Sequence, residues 1–259
     1  MADHGSWGDV HATIDGHVAV VEVRRPPHNY FDVAMVGSLV AAFGDLDDTP
    51  DCRAIVLCSA GKNFCAGARL ADGTPSVIDA GVRRLYAEAT RLFDTATPIV
   101  AAVQGAAVGG GLGLALVADF RVASPASRFT ANFARLGFHQ GFGISVTLPR
   151  VVGHQHALDL LYTGRRIGGE EAAAMGLVDR LVEPGEERAT AVAFASEIAE
   201  SAPLAVRSIR ETMRGDLAGL VALATEREAD QQERLRGTDD FAEGVAAMEE
   251  RRPPEFRGR

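Results

Sequence analysis

Two glycine-rich segments carry the clearest chemical potential in this chain. Ser59-Ala60-Gly61-Lys62-Asn63-Phe64-Cys65-Ala66-Gly67-Ala68-Arg69-Leu70 follows the apolar run Ala54 to Leu57. Gln104-Gly105-Ala106-Ala107-Val108-Gly109-Gly110-Gly111-Leu112-Gly113-Leu114-Ala115 follows a second run, Ile99 to Val103. Small residues let a ligand approach the backbone, and free N–H groups at the start of a helix favour an anion or a developing oxyanion. One donor from each segment can grip a single carbonyl oxygen. Glycine triplets also serve simple close packing of a helix on a strand, so either segment alone is ambiguous. Other glycine chemistry is excluded. No G-x-x-x-x-G-K-[ST] loop is present, Leu116 stands where G-x-G-x-x-G requires glycine, and no G-x-S-x-G elbow occurs.

The elements that must position these loops read as an α/β core. Val10 to Ile14 and Val18 to Val23 are strands joined by the hairpin pair Asp15-Gly16, and Pro26-Pro27 ends the second. Asp32 caps a helix to about Leu46, with Val36, Leu39, Val40 and Phe43 on one face. Ala54 to Leu57 and Ile99 to Val103 read as strands covered on both faces, with a crossover helix from about Ile78 to Thr95 between them. After Gly153 the chain turns helical, over His154 to Tyr162, Gly169 to Met175, Glu186 to Ser201, Leu204 to Met213, Leu217 to Arg236 and Phe241 to Arg251. Only a strand over Val178 to Val182 interrupts it. Residues 1–200 are thus expected to form the core and 201–259 a helical region, where Leu220, Leu223 and Leu235 are candidates for a subunit contact.

Composition narrows the function classes. With 259 residues, 47% apolar, the chain can bury a substantial core. A net charge of −9 and the lack of a long basic run argue against nucleic acid. No uninterrupted apolar stretch of membrane-spanning length is present. Cys52, Cys58 and Cys65 are odd in number and form no C-x-x-C pair, which fits a reducing cytoplasm better than a disulfide frame. His154 and His156, two apart on a helix, do not share a face, so no metal site is expected.

Cys65-Ala66-Gly67-Ala68 after Gly61-Lys62-Asn63-Phe64, and Gly109-Gly110-Gly111 after Pro98 to Gly105, resemble the two oxyanion loops of the enoyl-CoA hydratase/isomerase (crotonase) superfamily. Asn29-Tyr30-Phe31, Ala118 to Ala123, Leu161 to Ile167, Ala172 to Leu181 and Arg251 to Phe256 resemble further family segments in the same order. The resemblance implies a spiral of ββα units with trailing helices used in trimerisation, as a homotrimer or dimer of trimers. It also implies an acyl-CoA thioester substrate with no separate cofactor. By position, it assigns the thioester oxygen to the N–H groups of Ala66 and Gly110. It places candidate substrate contacts at Arg24, Arg25, Ala68, Arg69, Leu70, Asn132, Phe133, Gln140, Phe142 and Phe256.

The chain departs from the family where hydratases carry two glutamates. The first position is Gly113 and the second Phe133, and neither side chain can carry a proton. His139, in a loop that borders the acyl pocket in the family, is the candidate replacement because histidine titrates near neutrality. Tyr86 and Glu88 read as packing or surface residues, and Cys65 as a small apolar filler. Two functions follow: an enzyme performing isomerase, decarboxylase, hydrolase or other crotonase chemistry, or an acyl-CoA binding subunit without catalysis. The neighbourhood of His139 separates them.

Overall fold

The computed structural model describes residues 2–68 and 81–259. In chain order the elements are β1 (Ala2–Trp7), β2 (Val10–Asp15), β3 (Val18–Val23), α1 (Val33–Asp47), β4 (Ala54–Ser59), α2 (Val82–Arg91), β5 (Ile99–Val103) and β6 (Ala106–Val108). There follow α3 (Gly110–Ala115), β7 (Phe120–Ala123), β8 (Arg128–Thr130), α4 (Ile144–Val152), α5 (His154–Thr163), β9 (Arg166–Gly168) and α6 (Gly169–Ala174). The chain closes with β10 (Arg180–Leu181), α7 (Glu187–Ala199), α8 (Pro203–Arg214), α9 (Leu217–Arg236) and α10 (Asp239–Glu249).

A seven-stranded sheet runs β1-β2-β3-β4-β5-β7-β10, antiparallel through β3 and parallel from there on. Its parallel strands are apolar on both faces because both are covered. Ile55, Leu57, Ile99, Ala101 and Val103 enter the main core. Ala54, Val56, Cys58, Val100 and Ala102 face the other way, onto Ala191, Ala195 and Ala199 of α7. A second, three-stranded sheet, β6-β8-β9, starts where β5 ends and carries the second glycine-rich segment away from the first sheet.

Two differences from the sequence reading have clear physical causes, and two elements are shorter than expected. β1 is an edge strand with a register shift between Asp3 and Gly5, and a glycine-bearing, bulged edge gives no clean alternation. α4 follows Gly143, its N-cap at φ +72°, and contains Pro149, so the segment carries no clear local helix signal. Its stabilisation comes from far along the chain: the Glu228 carboxylate in α9 accepts from Gly143 N at 2.8 Å and Ser145 N at 3.0 Å, capping the helix. The strand expected over Val178 to Val182 shrinks to β10. The described part of the crossover helix is α2, shorter at its C-terminal end than expected; residues 78–80 lie outside the described residues.

The C-terminal helices fold back onto the core. α9 buries Val221, Thr225, Glu228, Ala229 and Gln232 against α2 and α4, while Leu220 and Leu223 are exposed. α8 buries no residue, presents Leu204, Ile209 and Met213 outward, and is held by arginines. Arg210 Nε and Arg214 Nε reach the Asp119 carboxylate at 2.8 and 2.9 Å, and Arg207 reaches Thr97 Oγ1 at 2.9 Å. Among the described residues no helix is long and apolar enough to cross a membrane.

Candidate active site

The two glycine-rich segments touch along their backbones. Cys65 N donates to Ala106 O at 2.9 Å, and Val108 N to Cys65 O at 3.0 Å. Gly111 has to be glycine, because a Cβ there would lie 2.1 Å from Cys65 O. Asn29 clamps the first segment from its other side. Fully buried at φ +50°, it accepts from Arg25 N at 2.9 Å and donates to Ala60 O at 2.8 Å and Asn63 O at 2.7 Å.

These contacts decide which peptide N–H groups are free. Ala66 N donates to His28 O at 2.9 Å, so the donor expected at Ala66 is already taken, and this corrects the assignment. Phe31 N instead captures the Gly67 carbonyl at 3.1 Å. In a trans peptide the C=O and the next N–H point in opposite directions. The Ala68 N–H is therefore turned away from Phe31, towards the second segment. Gly110 N lies on that side, 3.9 Å from where a Gly67 Cβ would stand. Among the described residues neither Ala68 N nor Gly110 N has a backbone acceptor, and Gly110 opens α3, where N–H groups lack partners in the helix.

A cavity of about 340 Å³ opens here, lined by Ala66, Gly67 and Ala68 on one side and Val108, Gly109 and Gly110 on the other. Its walls are largely apolar, with several aromatic rings. Phe31 and Phe142 meet edge to face at 5.3 Å, and Phe133 and Phe138 lie 6.2 Å apart. The two positions where the resemblance expects glutamates, Gly113 and Phe133, offer no carboxylate. Phe133 lines the cavity, and a Cβ on Gly113 would come within 2.7 Å of Phe142 Cβ and 2.8 Å of its Cδ1.

Of the residues expected at the site, the fold brings together Ala66, Ala68, Gly110, Asn132, Phe133 and Phe142. His139 is not among the lining residues, which corrects its candidacy as acid or base. Its Nδ1 is bonded to the Gln140 carbonyl at 2.8 Å, and partial burial, together with Arg227 and Arg234, pushes its pKa down. Gln140 bonds Ser145 Oγ at 3.1 Å outside the cavity. Arg24 is paired with Glu22, and Arg25 with Asp9 and Asp32, so both charges are neutralised locally. Phe256 is exposed in the tail, away from the cavity lining. Arg69 and Leu70 lie outside the described residues. Cys65 is buried, and desolvation pushes its thiol up to about 12, so it is an apolar filler.

Sequence reasoning missed His28, which lines the cavity beside Ala66, and Gln232 and Met248, which reach it from α9 and α10, and it took Tyr86 for packing. One signal for Gln232 was present: it continues the buried stripe Val221, Thr225, Glu228 at helical spacing, where an apolar residue would be ordinary.

A sequence profile described as enoyl-CoA hydratase/isomerase matches residues 13–259. The chain belongs to the enoyl-CoA hydratase/isomerase family. A Thermus thermophilus relative, provisionally named an enoyl-CoA hydratase, is 38% identical over 256 residues, covering 93% of this chain and 98% of its own. The carnitinyl-CoA dehydratase of Proteus mirabilis is 33% identical over 258 residues, covering 96% and 98%. A solved enoyl-CoA hydratase/isomerase from Pseudoalteromonas atlantica superposes with a TM-score of 0.86 at 29% identity, covering 96% of this chain and all of that one. The crotonase architecture, expected from the loops, is shared with that structure.

Proposed function

We propose that this enzyme acts on an acyl-CoA thioester, with the N–H groups of Ala68 and Gly110 holding the thioester oxygen as charge develops on it. The observation that carries this reading is the capture of the Gly67 carbonyl by Phe31 N, which turns the Ala68 N–H towards Gly110. Preorganised donors of this kind contribute about 3–4 kcal/mol each to a transition state. The hydrocarbon at Gly113, Phe133 and Phe142 speaks against addition of water by a carboxylate pair. It favours a reaction whose main demand is the oxyanion itself, such as decarboxylation, where loss of CO2 leaves the electron pair as the enolate that the two N–H groups hold.

Ala68→Pro deletes one proposed donor. Turnover in a screen of acyl-CoA thioesters, read by mass spectrometry, should fall about 10²–10³-fold. The thioether analogue of any bound thioester, which lacks the carbonyl, should bind distinctly more weakly. Equal binding of thioester and thioether would contradict the oxyanion reading. No Asp or Glu lines the cavity among the described residues, which favours a second reading, an acyl-CoA binding subunit; saturable binding without product would select it. The outward Leu204, Ile209 and Met213 support assembly as a homotrimer or dimer of trimers, and a monomer by light scattering at micromolar concentration would contradict that.

A further inference from the structure

Away from the two glycine-rich segments, the cavity contains one buried polar pair among the described residues. The Tyr86 hydroxyl, from α2, donates to Gln232 Oε1, from α9, at 2.9 Å. Gln232 Nε2 donates in turn to His139 O at 2.9 Å. Both side chains line the cavity and both are buried. The backbone is fitted around them: a Cβ on Gly141 would stand 1.7 Å from Tyr86 Oη and 2.7 Å from Gln232 Nε2. Gly141 lines the cavity too and precedes Phe142, whose ring packs over Gly113. The pair therefore borders the cavity at its Gly141–Phe142 wall, on elements other than the two segments that form the Ala68–Gly110 gap.

A buried polar group in a largely apolar cavity is costly unless its bonds are made. Here they are half made. A carboxamide has two N–H groups and an oxygen with two lone pairs. Gln232 uses one of each among the described residues, leaving one donor and one acceptor. Neither Lys nor Arg lines the cavity among the described residues, and His28 lies exposed beside Ala66 of the first segment, so a carboxylate arriving at Gln232 would be desolvated without a fixed counter-charge. An unsubstituted hydrocarbon would in turn leave the remaining carboxamide valences unmet.

Resting on the acyl-CoA reading above, we propose that the Tyr86–Gln232 pair selects an acyl group that is largely apolar but carries a neutral hydrogen-bonding substituent, a hydroxyl or a carbonyl, remote from the thioester. Tyr86 acts as a positioning residue: its hydroxyl holds the Gln232 amide so that the free valences keep one orientation. Discrimination of this kind is asymmetric. A site built to hydrogen-bond a hydroxyl rejects the analogue lacking it far more strongly than a greasy pocket rejects an added hydroxyl.

The test is a set of matched thioesters, alkanoyl-CoA, ω-hydroxyalkanoyl-CoA and ω-carboxyalkanoyl-CoA, at each chain length from four to about eight carbons. Binding is measured by calorimetry on the wild type, Gln232→Leu and Tyr86→Phe. At the best-fitting length, wild type should bind the hydroxy form at least tenfold more tightly than the alkyl form and the carboxy form most weakly. Gln232→Leu should abolish the hydroxy preference while leaving or improving alkyl binding. Tyr86→Phe, which keeps the ring, should reduce the preference. Wild-type binding of all three forms without this order would overturn the inference alone, as would a Gln232→Leu variant that retained the preference. If none of the thioesters bound, the acyl-CoA reading and the inference resting on it would fall together.

Discussion

Restoring a carboxylate at Gly113 tests the reading that this pocket has been refilled with hydrocarbon. A Cβ there would approach Phe142 Cβ at 2.7 Å, Cδ1 at 2.8 Å and Cγ at 2.9 Å, closer than real Cβ contacts come. Phe142 cannot readily yield. It is buried, sits at φ +62°, and its ring is wedged against Phe31. Gly113→Glu alone is therefore an overpacking change, costing about 1–3 kcal/mol. For a protein of this size that is a Tm drop of roughly 2–12 °C. The new carboxyl would also enter an apolar wall with no donor to receive it, which holds it protonated and inactive as a base.

Phe142→Gly removes the obstacle and suits the positive φ, so the pair Gly113→Glu/Phe142→Gly should be more stable than the sum of the single changes predicts, because the two positions touch. Adding Phe133→Glu supplies the second group. Wild type should hydrate crotonyl-CoA poorly, Gly113→Glu alone no better, and the triple variant about 10²–10⁴-fold faster than wild type. The assay is loss of the enoyl thioester absorbance, with thermal unfolding run in parallel. Efficient hydration by wild type would show that another group activates water. A stable, active Gly113→Glu single variant would show that Phe142 does not obstruct the position.

Further outcomes follow from other parts of the structure. Asn29→Ala leaves the Ala60 and Asn63 carbonyls and Arg25 N without their partner, and should cost about 1–3 kcal/mol per stranded group in denaturant unfolding, with turnover falling as the first loop loosens. Asp119→Ala strands Arg210 and Arg214 and should cost about 3–5 kcal/mol, with α8 losing hydrogen-exchange protection first. Burial raises the Asp119 pKa, but the charges of Arg210 and Arg214 outweigh it and the net shift is downward. Its stabilisation is therefore complete above the ordinary aspartate pKa and lost as pH falls through the lower folded value, so the variant should show a flatter acid limb in that window. Cys52, Cys58 and Cys65 are buried, with thiols pushed up to about 12 mainly by desolvation. An alkylating reagent at neutral pH should label none of them in the native protein and all three in denaturant.

The parts of this molecule readable from sequence are those set by near neighbours in the chain. Asp32 caps α1 through Met35 N, Asp15-Gly16 turns β2 into β3, and the small residues of the two loops follow buried strands, so the positions of these elements and the existence of a backbone-built site were open to local reasoning. What escaped depends on partners far away. Whether Ala66 or Ala68 offers its N–H is decided by His28 O and by Phe31 N, more than 30 residues upstream, and no property of Cys65-Ala66-Gly67-Ala68 alone separates the two. His139 has the right chemistry and lies next to the right loop, but its Nδ1 bonds the neighbouring carbonyl, and α9 faces it with Arg227 and Arg234. The same helix brings Gln232 to Tyr86, 146 residues apart in the chain. Oxyanion chemistry asks only for peptide N–H groups, which any sequence of small residues can supply once the loops are held. Acyl selection asks for particular side chains, and in this fold those arrive on helices whose docking is determined by the whole chain. Gly113 and Phe142 illustrate the consequence: each is ordinary alone, and only their contact shows that a side chain at position 113 would meet the Phe142 ring.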